Sequence, residues 1–196
     1  MTALVGNDFV DQRIIQVPGD DHYLSVPVAS ASVMACKRQA MAITFCESSI
    51  GLDLTQGLEV WVSIKWIKPI EVLSDNSFIS VDDWLLLVPG MGVGIKKLTQ
   101  EISISEFAKE ILKINLRPML PPGKALKLEI VFPKGKELGL RTSNSAFGVV
   151  DGLALIGMQA EIQISASPEK LRQTLQQLRD ICSSKSFEGS LTLVIG

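Results

Sequence analysis

In Pro89-Gly90-Met91-Gly92-Val93-Gly94 the glycines fall at alternate positions after an apolar run. Glycines so spaced let main-chain amides approach a ligand, an anion above all, without side chains in the way. The segment is not a dinucleotide fingerprint, which needs GxGxxG opening into a helix; here Ile95-Lys96-Lys97 follows. A tight glycine turn between sheet elements is the other reading. Lys96 and Lys97 are placed to meet an anion or simply to be solvated. A second stretch, Pro133 to Gly157, intersperses Gly135, Gly139, Gly148, Gly152 and Gly157 with polar Thr142, Asn144 and Asp151. Backbone must come close to something there, a ligand or another part of the protein. His22 is the sole histidine, which rules out metal sites and triads needing two imidazoles. Its neighbours Gly19, Asp20, Asp21 and Tyr23 suggest an exposed turn. Asp20-Asp21 and Asp82-Asp83 are adjacent pairs whose carboxylates diverge in strand or loop, so both read as solvated turns. Cys36, Cys46 and Cys182 have no CxxC spacing and read as buried or unreactive thiols in a reducing compartment. No metal site is expected.

The elements that must carry these residues follow from periodicity. Leu58, Val60, Val62, Ile64 and Trp66 alternate with Glu59, Trp61, Ser63 and Lys65, giving a strand with one apolar face over Leu58 to Ile67. The same period of two appears at Leu126, Leu128, Ile130 and Phe132 and at Ala160, Ile162 and Ile164. Val26 to Val33 and Ala40 to Phe45 permit strands. Trp84 to Val88, continuous and apolar, reads as a deeply buried strand running into Pro89-Gly90. A helix is expected from Pro168 to Cys182, capped by Ser167, with Leu171, Leu175, Leu178 and Ile181 as its buried stripe. Another starts near Ser103, where Ser103 and Glu106 suit a capping box, and carries Phe107, Ile111 and Ile114 on one face. The predicted class is α+β, a mixed or antiparallel sheet with helices on one face in two layers. Leu191 to Ile195 reads as a continuous apolar strand after the break at Glu188-Gly189. The predicted division is therefore residues 1–189 as one α+β domain and 190–196 as the start of a second, α/β domain.

Composition bounds the function classes. Of 196 residues 46% are hydrophobic and 20% charged, with a formal net charge of -2, so no basic field favours nucleic acid or an anionic membrane. No segment approaches the ~20 unbroken apolar residues needed to span a bilayer, and Met1 to Arg13 lacks a secretory pattern. A cytoplasmic protein is expected.

The stretch from Phe132 to Gly157 resembles a signature of the cobalt-precorrin-5B C1-methyltransferases of anaerobic cobalamin synthesis. That signature runs Pro-x-Gly-x-Glu, Thr-x-Asn, Arg-Leu-Gly-Ile, then Gly-Gly-Ile-Ser-Ile-Leu-Gly-Thr-Thr-Gly. Pro89 to Gly94 resembles the family's Gly-Gly-Glu-Gly-Val-Gly, and Asp53-Leu54-Thr55-Gln56-Gly57 its Asp-Val-Thr-x-Gly. Ile114-Asn115 and Arg117 sit where the family has Ile-Asn-Pro and an Arg. Met91 replaces the acidic residue among the glycines, Ser49-Ile50-Gly51-Leu52 replaces Gly-Asp-Asp-Pro, and Met158-Gln159-Ala160 stands for the Thr-Thr-Gly.

The resemblance implies S-adenosylmethionine-dependent methyl transfer to C1 of a cobalt-precorrin, with S-adenosylmethionine as cofactor and the precorrin as substrate. It points to Asp53, Thr55, Gly90, Gly92, Gly94, Asn115, Arg117, Thr142, Asn144, Gly148, Asp151 and Gly157 as substrate- or cofactor-binding residues, and assigns no catalytic residue. Lys96, Lys97, Arg117 and Arg141 are candidates to hold the substrate's carboxylates. It also implies a second domain of nucleotide-binding type, and a homo-oligomer or a separately supplied second domain fits the same picture. The alternative reading is a non-catalytic homologue that binds a corrinoid or a partner subunit.

Overall fold

The computed structural model describes residues 1–6, 11–19, 23–34, 38–47, 53–74, 79–156, 168–184, 187 and 189–190. The chain divides into two compact units, Met1–Ala160 and Glu161–Gly196. In the first unit the order is α1 (Thr2–Gly6), β1 (Gln12–Gln16), β2 (Tyr23–Pro27), β3 (Ser30–Val33), β4 (Gln39–Phe45), β5 (Glu59–Ile67), α2 (Pro69–Ser74), β6 (Ile79–Asp82) and β7 (Leu85–Pro89). There follow β8 (Gly92–Val93), β9 (Ile95–Lys96), α3 (Glu106–Leu116), β10 (Ala125–Val131), α4 (Gly135–Gly139), β11 (Val149–Val150) and β12 (Gly152–Leu153). The second unit contributes α5 (Pro168–Cys182).

A six-stranded sheet in the order β3-β4-β5-β10-β7-β6 organises the first unit. Only β10 and β7 run parallel; the remaining pairs are antiparallel. The alternation read in β5 and β10 is what builds it. With Leu128 opposite Ile64 and Ile130 opposite Val62, every apolar position on one strand meets an apolar position on the next. This face holds the main core, with Leu85, Leu87, Leu126, Leu128 and Ile130 buried in one cluster with Leu4 of α1, while Leu112 and Leu116 of α3 pack onto it. Burying one such leucine contributes about 1.5–3 kcal/mol. The class is therefore α+β, with α1 and α3 on this sheet face, whereas α2, expected on the same face, packs its Val72 on the opposite one. A small second cluster of Ile67, Val72, Leu86, Val88 and Ala125 covers part of the other face. β7, facing both clusters, carries apolar residues without alternation, as its sequence predicted.

Several expectations need correction. Val26 to Val33 is not one strand: the chain leaves its pairing with β1 after Pro27, and Ser30–Val33 pairs instead with β4. The first helix residue is Glu106 and the cap is Ser105, whose hydroxyl accepts the Ala108 N–H at 3.2 Å. Ser103 cannot cap it, because its main chain is held in extended bonds, donating to Gly94 O at 2.8 Å and accepting from Leu155 N at 2.7 Å. The helix face that meets the core is accordingly Leu112 and Leu116, with Phe107, Ile111 and Ile114 half-buried. Ser105→Ala is expected to lower stability by about 1 kcal/mol in urea denaturation. α5 has the predicted bounds, yet the described residues of its stripe are not buried: Leu175 is 45% and Ile181 47% exposed, and Leu178 is half-buried. The described residues of its unit supply no layer over that stripe. Cys182, in the last turn, is exposed for the same reason, and Cys46 is half-buried. Cys36, His22, Asp20, Asp21, Ser167, Gly157, the expected strand at Ala160 to Ile164 and the expected strand at Leu191 to Ile195 lie outside the described residues. No helix among the described residues is long and apolar enough to cross a membrane.

Candidate functional site

At the end of β7 the chain passes through its alternating glycines and meets two others. A β-carbon on Gly90 would lie 2.5 Å from the Ile130 carbonyl oxygen. Gly92 has φ +78, and a β-carbon there would strike the Phe132 carbonyl and come within 3.1 Å of Gly135 Cα. β-Carbons on Gly135 or Gly152 would each collide with the Gly92 carbonyl, and one on Gly139 would lie 2.7 Å from Gly152 O. Three segments thus cross main chain against main chain, with Gly152 paired in parallel to Gly92. The two glycine motifs serve each other: the space beside Gly92 is filled by the protein's own backbone.

Around this crossing stand several of the polar candidates. Thr142 Oγ1 donates to Gly139 O at 2.7 Å and accepts the Asn144 N–H at 3.3 Å, starting a 3-10 turn over Ser143–Phe147. Asn144 Nδ2 donates to Gly152 O at 3.1 Å, tying that turn to the crossing. Gly148 ends it with φ 69 and accepts the Lys97 N–H at 2.8 Å. Asp151 adopts φ 65, unusual for a residue with a side chain, and its carboxylate lies 3.7 Å from Lys136 Nζ. Lys96 pairs with Glu101 at 3.6 Å. Lys97 and Arg141 form no ion pair among the described residues and are exposed. Exposed apolar side chains accompany them in sequence: Leu98 is 97%, Leu140 85% and Phe147 78% exposed. Gly90, Gly92, Gly94, Thr142, Asn144, Gly148 and Asp151 are therefore brought together. Asp53 and Thr55 form a 3-10 turn between β4 and β5, at the same end of the sheet, since Trp61 near the start of β5 pairs with Val131 at the end of β10.

Asn115 and Arg117 are elsewhere. α3 starts beside the crossing, where Ser105 N donates to Leu155 O, and its eleven residues carry the chain about 16 Å along the sheet. At its far end the Arg117 guanidinium lies over the Trp84 ring, 5.3 Å from the centroid. Asp82, Asp83, Trp84, Lys113, Ile114 and Arg117 line a depression there. The Asp82 carboxyl is held below its ordinary value by the Asp83 main-chain N–H, with the Trp84 side chain and Lys113 acting in the same direction. Asn115 binds the first hairpin, as Oδ1 accepts Gln16 N–H at 2.8 Å and Nδ2 donates to Gln16 O at 2.9 Å. It also lines a cavity of about 230 Å³ with Arg13, Ile15, Ala40, Leu116 and Met119. Sequence reasoning missed Trp84 and Lys113. The signal for Lys113 was available, since it stands four residues before Arg117 on one helix face.

An α+β domain built on a mixed sheet and closed by a glycine crossing is thus the class this chain represents. A model of the CbiD family matches residues 1–163, and the chain belongs to that family. It is 47% identical over 194 residues to the cobalt-precorrin-5B C(1)-methyltransferase of Prochlorococcus marinus (strain MIT 9313), covering 99% of this chain and 50% of that protein. With the protein of the same name from Parasynechococcus marenigrum (strain WH8102) identity is 45%, over 100% of this chain and 52% of the relative. The crystal structure of the cobalamin biosynthesis protein CbiD from Archaeoglobus fulgidus superposes with a TM-score of 0.54 at 19% identity, covering 90% of this chain and 52% of that one. It shares the fold. The chain spans about half the length of the relatives it matches.

Proposed function

We propose that this chain takes part in S-adenosylmethionine-dependent methylation of C1 of cobalt-precorrin-5B in cobalamin biosynthesis, as one domain of the methyl-transferring unit. The observation that carries this reading is identity of 47% extending over 99% of the chain to a relative of that name. S-adenosylmethionine supplies an already electrophilic methyl group, so alignment and exclusion of water are what the protein must provide. The chain's own contribution is a rigid frame, the glycine crossing, that fixes the segment from Thr142 to Asp151 and the turn after β9. A cobalt-precorrin presents carboxylates around a broad apolar ring. Lys97 and Arg141, which form no ion pair among the described residues, suit the carboxylates, and exposed Leu140 and Phe147 suit the ring. Asn144 and Thr142 act as positioning residues through Gly152 and Gly139.

A second reading, a non-catalytic homologue that binds a corrinoid or a partner, is favoured by Met91, which is exposed where the family signature has an acidic residue. The sheet face around Trp61 also favours it: Met41 and Phe45 are exposed there, and Trp61 Nε1 is buried with no hydrogen-bond partner among the described residues. Isothermal titration with a cobalt corrinoid carrying free carboxylates, and separately with S-adenosylhomocysteine, tests the pair. Binding of both supports the methyltransferase domain, and the double variant Lys97→Ala/Arg141→Ala is expected to weaken corrinoid binding about tenfold. Corrinoid binding unchanged in that variant removes the proposed seat, and corrinoid binding without the donor product favours the second reading.

A further inference from the structure

The depression at the far end of α3 has a volume of about 370 Å³ and lies apart from the glycine crossing. Trp84 is buried in its wall, and the Arg117 guanidinium rests on the ring. A guanidinium held over a ring keeps its N–H donors available to a ligand. Of the other charges, Lys113 is committed to Glu110 at 3.0 Å, and Asp82 accepts the Asp83 N–H at 2.9 Å. Arg117 and Asp83 differ. Neither has an ion-pair partner among the described residues, although both line the same depression. Opposite charges held in one concavity without pairing are complementary to a ligand that carries both charges itself.

We propose that this depression binds an α-amino-acid group, its carboxylate on the Arg117 guanidinium and its ammonium on the Asp83 carboxylate, with Ile114 and Trp84 giving the side chain an apolar wall. Planar guanidinium matches carboxylate in two parallel hydrogen bonds, and an exposed aspartate suits a primary ammonium. The site stands on this geometry and not on the methyl-transfer reading. Two molecules can bring the group: a free amino acid such as methionine, or the methionine end of the methyl donor and its product.

Isothermal titration of the whole chain with methionine, S-adenosylhomocysteine, adenosine and 3-(methylthio)propylamine, which is methionine without its carboxylate, separates them. Methionine and S-adenosylhomocysteine are expected to bind, with adenosine and the amine at least about tenfold weaker. Asp83→Asn, on an exposed turn, and Arg117→Lys, which keeps a cation by Trp84 but loses the fork, are each expected to weaken methionine about tenfold at unchanged Tm. Methionine bound and S-adenosylhomocysteine excluded makes the ligand a free amino acid, upholding the site while counting against its use by the donor. Adenosine bound with methionine silent, no binding of either amino-acid ligand, or unchanged affinity in both variants overturns the proposal.

Discussion

Gly92→Ala is expected to lower the free energy of unfolding by about 2–5 kcal/mol, the sum of two independent penalties. The first is conformational: at φ +78 an alanine occupies the left-handed region, at a cost of about 1–2 kcal/mol. The second is steric. The new methyl would strike the Phe132 carbonyl and press on Gly135, both main chain, so no flexible side chain can swing aside. Overpacking of that kind costs about 1–3 kcal/mol. Gly123 separates the terms, for it has φ +69 but nothing within 4 Å of a β-carbon. Gly123→Ala should therefore lose only the conformational part, about 1–2 kcal/mol. Urea denaturation of the two variants side by side gives the comparison. Equal losses would mean that the crossing yields, and would deprive the Thr142 to Asp151 segment of the rigid frame proposed for it. The expected loss at Gly92 is a large share of the 5–15 kcal/mol typical of a folded domain, so a shortfall of folded protein is itself within the expectation.

How this crossing arises explains what the sequence discloses and what it conceals. Alternate glycines after a strand, and a second glycine-rich stretch further on, are both visible in the chain as places where backbone must approach something. That the two approach each other is a fact of topology. It depends on β10 lying beside β7 in parallel, which brings Phe132 to Gly135 back over Gly92. Local periodicity fixes which face of β5 and β10 is buried but not which strand lies between them. The same limit separates Arg117 from the other candidates. Family order sets it among them in sequence, while the length of α3 carries it to the opposite end of the sheet, next to Trp84 and Asp83, whose nearness no spacing reveals. Errors at element ends have a different origin. Ser103 followed by Glu106 satisfies a local capping pattern, yet extended bonds to Gly94 and Leu155 claim Ser103 first, and the next serine takes the cap. In β2 and β3, Val-rich sequence supports extended backbone throughout, but only the change of partner after Pro27 makes two strands of it.

Asn115→Ala is expected to cost about 1–2 kcal/mol and, more tellingly, to loosen one hairpin selectively. Its amide makes three bonds: Oδ1 from Gln16 N–H at 2.8 Å, and Nδ2 to Gln16 O at 2.9 Å and to Ile111 O at 2.9 Å. The pair of bonds to Gln16 copies the way a neighbouring strand would meet β1, so the side chain holds the hairpin against α3 across a wide gap in sequence. Much of this contact is exposed, which keeps the net energy at the lower end of the range for lost hydrogen bonds. Amide hydrogen exchange supplies the discriminating readout. Gln16 and its neighbours in β1 and β2 should exchange faster in Asn115→Ala, while amides of β7 and β10, in the main core, stay protected. If instead Asn115 serves by touching a ligand, exchange in the hairpin will be unaltered and only the affinity for that ligand will fall. A residue assigned to binding by resemblance would then have its role restored; faster exchange without loss of affinity would make it a structural clamp, retained for the hairpin it holds.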